Sequence, residues 1–316
     1  MESQNLLDLD QFWLRDDVQR QLLDWIDVAL REDRATEDPT AMLFAGSESE
    51  NCRAVVTVRE AGSICGTAAM SLVFERLDSA CQTRMRLPDA TVVTAGSEIL
   101  EVEGAAASLF AGERIALNIG AHLSGIATRT ARLVKKAGSS LILDTRKTMP
   151  GLRLFEKQAV RCGGGVSHRE HLAQFPMVKE NHRGQIHRIH PELVGDPDAE
   201  VTFIHDTLRE GGVTGPIAIE VEDEDSFRAC LKVGIEVILV DNVGPEQLAD
   251  WIARARADRL PVRAEQIEAS GGIDETTVAA YAAAGAGRIS CGAITHSASA
   301  LDLTMNVCHG ISTDDS

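Results

Sequence analysis

From Leu141 onward, short apolar runs alternate with helical stretches, and this alternation limits the possible folds more than any other feature of the chain. The runs are Leu141–Leu143, Phe175–Val178, Ile217–Val221, Val237–Val240, Gln266–Ala269 and Arg288–Ser290. Helical patterns at Asp225–Val233, Pro245–Ala257 and Glu275–Ala284 lie among the later ones. Strand–helix units repeated in one sense need a parallel sheet with crossovers, either open or closed into a barrel. The residues just past each run separate the two. Asp144-Thr145-Arg146-Lys147-Thr148, Lys179-Glu180-Asn181-His182, Glu220 with Glu222, Asp241-Asn242, Ser270-Gly271-Gly272 and Cys291-Gly292-Ala293 stand at successive strand ends. Charged or glycine-rich chemistry after strand upon strand belongs to the active face of a βα barrel. An open doubly wound sheet concentrates its site at one switch point instead. The barrel is the expected architecture.

The chain before Leu141 has a different texture. Val18, Leu22, Trp25, Ile26 and Ala29 recur at helical spacing within Asp16–Arg31. Strand-like runs come next at Cys52–Arg59, Gly66–Phe74 and Thr91–Val102, which predicts a small α+β unit with an antiparallel sheet. A long helix is expected over Glu113–Lys136, ending in the cationic turn Lys135-Lys136 and the stop Gly138. The predicted domains are residues 1–115 and 116–297, with 298–316 returning to pack on the first. Asn181–Pro216 reads as a long loop with some local structure.

Composition narrows the function classes. With 316 residues and 44% apolar content, the chain has enough core for one large or two ordinary domains. No apolar run is long enough to span a membrane, and Met1-Glu2-Ser3-Gln4-Asn5 lacks the layout of a signal peptide. Seven scattered cysteines without a Cys-x-x-Cys pair argue against a disulfide framework or structural zinc site, so a cytoplasmic setting is expected. A net charge of −17 opposes nucleic-acid binding. That charge is uneven: Arg114 to Arg183 holds thirteen Lys/Arg against four Asp/Glu, a balance of +9, leaving −26 on the remainder. A basic island in an acidic chain points to a small, multiply charged anion, or else to a solvated helix face.

The island's Arg114, Arg146, Lys147, Arg161, His168, Arg169 and Lys179 are candidates to converge on one pocket, since arginine forks suit carboxylates and phosphates. Ser270, Gly271, Gly272 and Gly292 offer unobstructed backbone N–H groups near the last strands, where barrels commonly bind phosphate; as isolated pairs they are ordinary turns. Glu220 and Asp241 either neutralise neighbouring cations or hold Mg²⁺ beside a polyphosphate. His182, His187 and His190 lie in the irregular stretch without other ligands at metal spacing and read as surface residues. Cys162 precedes three glycines but has no evident base, so it reads as packing.

Taken in order, Glu113-Arg114-x-Ala116-Leu117-Asn118, His122–Thr128, Asp144–Thr148 with Pro150–Arg153, Glu156-Lys157 and Arg161–Gly165 form a recognisable set. His168-Arg169, Lys179-x-Asn181-His182, Glu268–Ile273 and Thr295-His296-Ser297 complete it. The set resembles quinolinate phosphoribosyltransferase, also called nicotinate-nucleotide pyrophosphorylase (carboxylating). The specific motifs cover Glu113–Asp302, and the first hundred residues match loosely. The resemblance implies an N-terminal α/β sandwich followed by an incomplete α/β barrel. It implies a homodimer with shared active sites, using quinolinate, phosphoribosyl pyrophosphate and Mg²⁺. By position, Arg146, His168, Arg169 and Lys179 correspond to the quinolinate-carboxylate cluster, with Arg114 contributed by the other subunit. Lys147, Glu220 and Asp241 correspond to the phosphoribosyl pyrophosphate and metal side. Ser270, Gly271, Gly272 and Gly292 correspond to the phosphate loops.

The chain departs from the family pattern at Met149, Ser167 and Glu180, where Thr, Asn and Asp are usual, and it is long between Lys179 and Glu220. These changes bear on substrate identity and remove no charged group that the reaction needs. A paralogue acting on another aromatic carboxylate is therefore the alternative enzyme. A Schiff-base aldolase built on Lys179 would need a desolvated lysine, which dense arginine surroundings do not favour. A catalytically dead binding protein is disfavoured by the intact Lys147, Lys179, Glu220 and Asp241.

Overall fold

The computed structural model describes residues 9, 11–44 and 51–308. The chain divides into two compact units. One contains residues up to Ala131, Pro150–Gly164 and the chain from Ala298; the other contains Arg132–Met149 and Gly165–Ser297.

In the first unit, a helix over Asp16–Glu32 buries Val18, Leu22 and Ile26 along one stripe, as their spacing predicts. Strand β1 (Asn51–Val58) is followed by the short β2 (Gly62–Ser63), β3 (Gln82–Met85), β4 (Val92–Val93) and β5 (Glu98–Ala105). β1 pairs antiparallel with β5 on one side and with the C-terminal strand Leu303–Cys308 on the other; β3 extends the sheet beyond β5. The expected strand at Gly66–Phe74 is instead a helix, Thr67–Leu77. Its first turn is capped from a distance. Asp89, buried, accepts hydrogen bonds from the Gly66 N–H (2.9 Å), the Thr67 N–H (3.3 Å), the Thr67 hydroxyl (2.8 Å) and the Trp13 indole (2.9 Å).

The division between units does not coincide with the expected 115/116 line. The long helix is one element from Ala106 to Ala137, starting earlier than predicted, and the boundary falls inside it. Gly120 lets Met70 lie against it: a Cβ there would sit 3.1 Å from the methionine Cε. The helix Arg153–Cys162 also belongs to the first unit, because Phe155 stacks on Trp25 at 5.1 Å and on Trp13 at 6.2 Å. Cys162 is buried there near Cys65.

The second unit is a six-stranded parallel sheet with helical crossovers. Its strands are β6 (Leu141–Leu143), β7 (Met177–Val178), β8 (Ala218–Val221), β9 (Val237–Asp241), β10 (Ile267–Ser270) and β11 (Arg288–Ser290). They are ordered β6-β11-β10-β9-β8-β7. That order is the cyclic sequence of a barrel opened at one seam, between its first and second strands, so the barrel is incomplete rather than closed. The stretch expected as a loop, Asn181–Pro216, instead carries helices Glu180–Ile189 and Pro197–Glu210. The second begins with an Asp196 cap on the Ala199 N–H at 3.0 Å and a proline in its first turn. Among the described residues no helix is long and apolar enough to cross a membrane.

Candidate active site

The carboxyl ends of the second unit's strands surround a cavity of about 510 Å³. Asp144, at the end of β6, is fully buried and fixes the next loop. Its Oδ1 accepts the His168 N–H at 2.8 Å, and its Oδ2 accepts the Ser167 hydroxyl at 3.1 Å. The imidazole of His168 is anchored through Nδ1. Nδ1 accepts the Arg169 N–H at 2.7 Å, which leaves the ring proton on Nε2, 3.1 Å from Glu268 Oε1.

Glu268 comes from β10 and is fully buried. Its other oxygen accepts Arg288 Nε–H at 2.9 Å, and the Ser290 hydroxyl donates to Oε1. Burial pushes this carboxyl up, but hydrogen bonds and charge from His168, Arg288 and Ser290 prevail and hold it below the ordinary glutamate value.

On the cationic side, Arg146, Lys147, Arg169 and Lys179 all line the cavity. Burial, and then the charge of Arg146, pull Arg169 below the usual arginine value. Two guanidiniums held close enough to disfavour each other call for an anion between them. The Nε–H of Arg146 is also buried, with no acceptor among the described residues. Lys147 is exposed at the rim; its N–H is held by the Thr145 hydroxyl at 3.0 Å and its carbonyl by that of Thr295 at 2.8 Å. A Cβ on Gly292 would lie 2.9 Å from Lys147 Cδ, so the glycine leaves room for this side chain.

Across the cavity, Lys179 is ion-paired with Glu220, whose Oε1 also faces the Glu180 N–H at 3.4 Å. Asp241 accepts from Asn242 Nδ2 at 2.7 Å and stands opposite Ser270 in the β9–β10 register. Ser270 lines the cavity, and Gly271 and Gly272 come after it with φ of +100° and +60°. The lining carries five carboxylates (Asp144, Glu180, Glu220, Asp241, Glu268) against four permanent cations, so it is near neutral although one side is cationic.

The structure thus brings together Arg146, Lys147, His168, Arg169, Lys179, Glu220, Asp241 and Ser270. Arg114 and Arg161 belong to the first unit; Arg114 is exposed on the long helix, and Arg161 donates to Gln158 at 3.0 Å. His182, His187 and His190 have separate partners: the Lys179 N–H, Glu200 and Glu192. Asp144, Glu268 and Ser290 were absent from the sequence-derived set. Glu268 had a signal, a lone acid inside the apolar run Ile267–Ala269, where a charge is retained only with dedicated partners.

Comparisons with known proteins identify the family. Residues 34–124 match the family model for the N-terminal domain of quinolinate phosphoribosyl transferase, and residues 126–306 match that for its C-terminal domain. The chain is 34% identical to a probable carboxylating nicotinate-nucleotide pyrophosphorylase of Bacillus subtilis, over 87% of this chain and 90% of the relative. It is 33% identical to that of Mycobacterium leprae, over 79% of this chain and 84% of the relative. The solved nicotinate-nucleotide pyrophosphorylase of Francisella tularensis superposes with a TM-score of 0.78 at 32% identity, covering 92% of this chain and 96% of that one.

Proposed function

The chain belongs to the quinolinate phosphoribosyltransferase family, and from that premise we propose how its pocket divides the work of the reaction. The enzyme is a carboxylating nicotinate-nucleotide pyrophosphorylase, a pentosyltransferase of NAD biosynthesis. It joins quinolinate to phosphoribosyl pyrophosphate and releases nicotinate mononucleotide, CO₂ and pyrophosphate.

The observation that carries the assignment of roles is the crowded pair Arg146 and Arg169, one with a buried N–H that has no acceptor among the described residues and the other depressed by burial and then by its neighbour's charge. With Lys179 they hold the two carboxylates of the acid and aim the pyridine nitrogen at ribose C1. Breaking the C1–O bond places negative charge on the departing pyrophosphate, and Lys147 at the rim stabilises it. Ser270, Gly271, Gly272 and Gly292 present backbone N–H groups to donor phosphate. Once alkylated, the nitrogen makes the ring its own electron sink; CO₂ leaves the adjacent carbon and a proton takes its place.

Glu220 and Asp241 are hard oxygen donors at neighbouring strand ends, and these two carboxylates would hold Mg²⁺. Mg²⁺ bound by these two carboxylates would supply positive charge to a near-neutral lining that has to accept two polyanions. We further propose a two-fold dimer in which the partner subunit's Arg114 completes the carboxylate cluster. Its support is the exposure of Arg114 on a helix of the first unit, outside the cavity lining. A cytoplasmic setting suits seven cysteines that form no disulfide among the described residues, five of them buried.

The test is nicotinate mononucleotide formation from quinolinate and phosphoribosyl pyrophosphate, with nicotinate as control acid. Quinolinate is used and nicotinate is not, because one carboxylate leaves buried cations unmatched. Comparable turnover of nicotinate overturns the assignment of roles. Strict preference for a third acid points to the paralogue.

A further inference from the structure

Strand β9 is followed by a residue whose backbone is unusual for its type. Asn242, directly after Asp241, has φ of +57°. Arg34, Ala90 and Arg259 share that left-handed region, and none of them adjoins a residue of the cavity wall. Asparagine enters this region more readily than most side chains, and such a conformation persists where its surroundings fix it.

The contacts that fix it are specific. The Asn242 N–H donates to the Ser270 carbonyl at 3.0 Å. Its Nδ2 donates to Asp241 Oδ2 at 2.7 Å. Its Oδ1 lies against Gly271, where a Cβ would collide with it and would stand 2.9 Å from the Asn242 Cα. The neighbour sets the orientation of the amide: an ionised carboxylate only accepts, so the NH₂ group faces it. Successive side chains along an extended strand point to opposite faces, and the left-handed bend brings these two together.

Asp241 and Ser270 both line the cavity and are the last pair of the β9–β10 register. Beyond that pair Asn242 makes the connection, touching both a carboxylate assigned to the ribosyl donor and the loop assigned to its phosphate. We propose that Asn242 is a positioning residue for the donor: its amide fixes the Asp241 carboxylate and its backbone fixes the Ser270–Gly272 loop, so that both meet the donor in one arrangement. The inference rests on the assignment of Asp241 to the donor side.

Asn242→Gly keeps the backbone conformation and the N–H and removes only the side-chain amide. With Mg²⁺ present, the KM for phosphoribosyl pyrophosphate should rise about tenfold, the scale on which partners that orient a binding carboxylate act. The KM for quinolinate should change by less than about twofold. Asn242→Asp also tolerates the bend but sets a second carboxylate against Asp241, so its rise should exceed that of the glycine variant. A rise in both KM values together, or in neither, overturns the proposal, because a merely structural role would not separate the two substrates.

Calorimetry without turnover separates the two layers. The enzyme is saturated with phthalate, a dicarboxylate lacking the reactive nitrogen, and titrated with phosphoribosyl pyrophosphate and Mg²⁺. If Asp241→Asn binds the donor as wild type does, the reading of Asp241 fails. If Asp241→Asn binds it more weakly and Asn242→Gly binds it as tightly as wild type, only the positioning role fails. Should Asn242→Gly not fold, Asn242→Asp decides alone: an unchanged KM for the donor overturns the proposal.

Discussion

Lys179 and Glu220 form an ion pair inside the cavity, the carboxylate nearly buried and the lysine side chain 44% exposed. The proposed reaction assigns these partners to different ligands, the lysine to the acid and the glutamate to Mg²⁺ and the ribosyl donor. Removing the carboxylate should therefore act in opposite directions on the two substrates. Glu220→Gln is expected to weaken Mg²⁺-dependent use of phosphoribosyl pyrophosphate by about tenfold or more. It should also tighten binding of the acid alone severalfold, because Lys179 no longer has to leave a partner. Calorimetric titration of acid and steady-state titration of Mg²⁺ read the two effects separately; equal weakening of both ligands would mean that the pair is purely architectural.

Lys147→Ala tests the rim. The side chain is exposed, so the melting temperature should shift by no more than about 2 °C. Turnover should fall by roughly 10²-fold or more if the ammonium stabilises departing pyrophosphate. Near-normal kcat removes Lys147 from the mechanism.

The two loop glycines after β10 should tolerate substitution differently. At Gly271 φ is +100°, and a Cβ would approach the Asn242 backbone nitrogen to 2.6 Å, so alanine strains the backbone and collides with it. At Gly272 φ is +60° and nothing lies within 4 Å. Gly271→Ala should cost about 2 kcal/mol or more, and Gly272→Ala about 1 kcal/mol, measured by denaturant midpoints. Equal costs would show that the loop relaxes freely.

Acid stability should depend on Glu268. Its carboxyl lies below the ordinary value in the folded protein, so the folded state binds that proton less readily than the unfolded chain does. The stabilisation is complete above the unfolded value, about 4.3, and is lost as pH falls through the lower folded value. A Glu268→Gln variant should show a shallower fall in stability below about pH 4.3 than wild type, with a constant difference at higher pH. An identical acid limb in both proteins would assign the loss to other carboxylates.

Mixing Arg114→Ala with Lys147→Ala tests the shared site. A mixed two-fold dimer has one site with both lesions and one with neither. Random reassortment makes about half the dimers mixed, so about a quarter of wild-type activity should return. No recovery after verified subunit exchange means that Arg114 serves its own chain or that this dimer is not the working form.

Much of the cavity lining was legible because barrel chemistry sits at strand ends, and strand ends can be found from apolar runs. Lys147, Lys179, Glu220, Asp241 and Ser270 were located that way and line one cavity. Arg114 and Arg161 shared the same basic island and fell in the other unit, since charge clustering along a chain says nothing about which unit a residue joins. Glu268 escaped because it sits inside a strand rather than after it. Asp196-Pro197 was a readable helix start in a stretch taken as a loop.

By itself the sequence determined the parallel strand–helix alternation, the order of the strands along the chain and the chemistry at their carboxyl ends, because all three are local patterns of period and residue type. Only the tertiary structure decided that Thr67–Leu77 is a helix: its run is apolar on several sides, and the cap comes from Asp89, twenty-two residues away. It likewise returned Arg153–Cys162 to the first unit through the Trp25–Phe155 stack and left the barrel open between β6 and β7. Each of these outcomes depends on a partner distant in the chain, and no local pattern encodes where such a partner comes to rest.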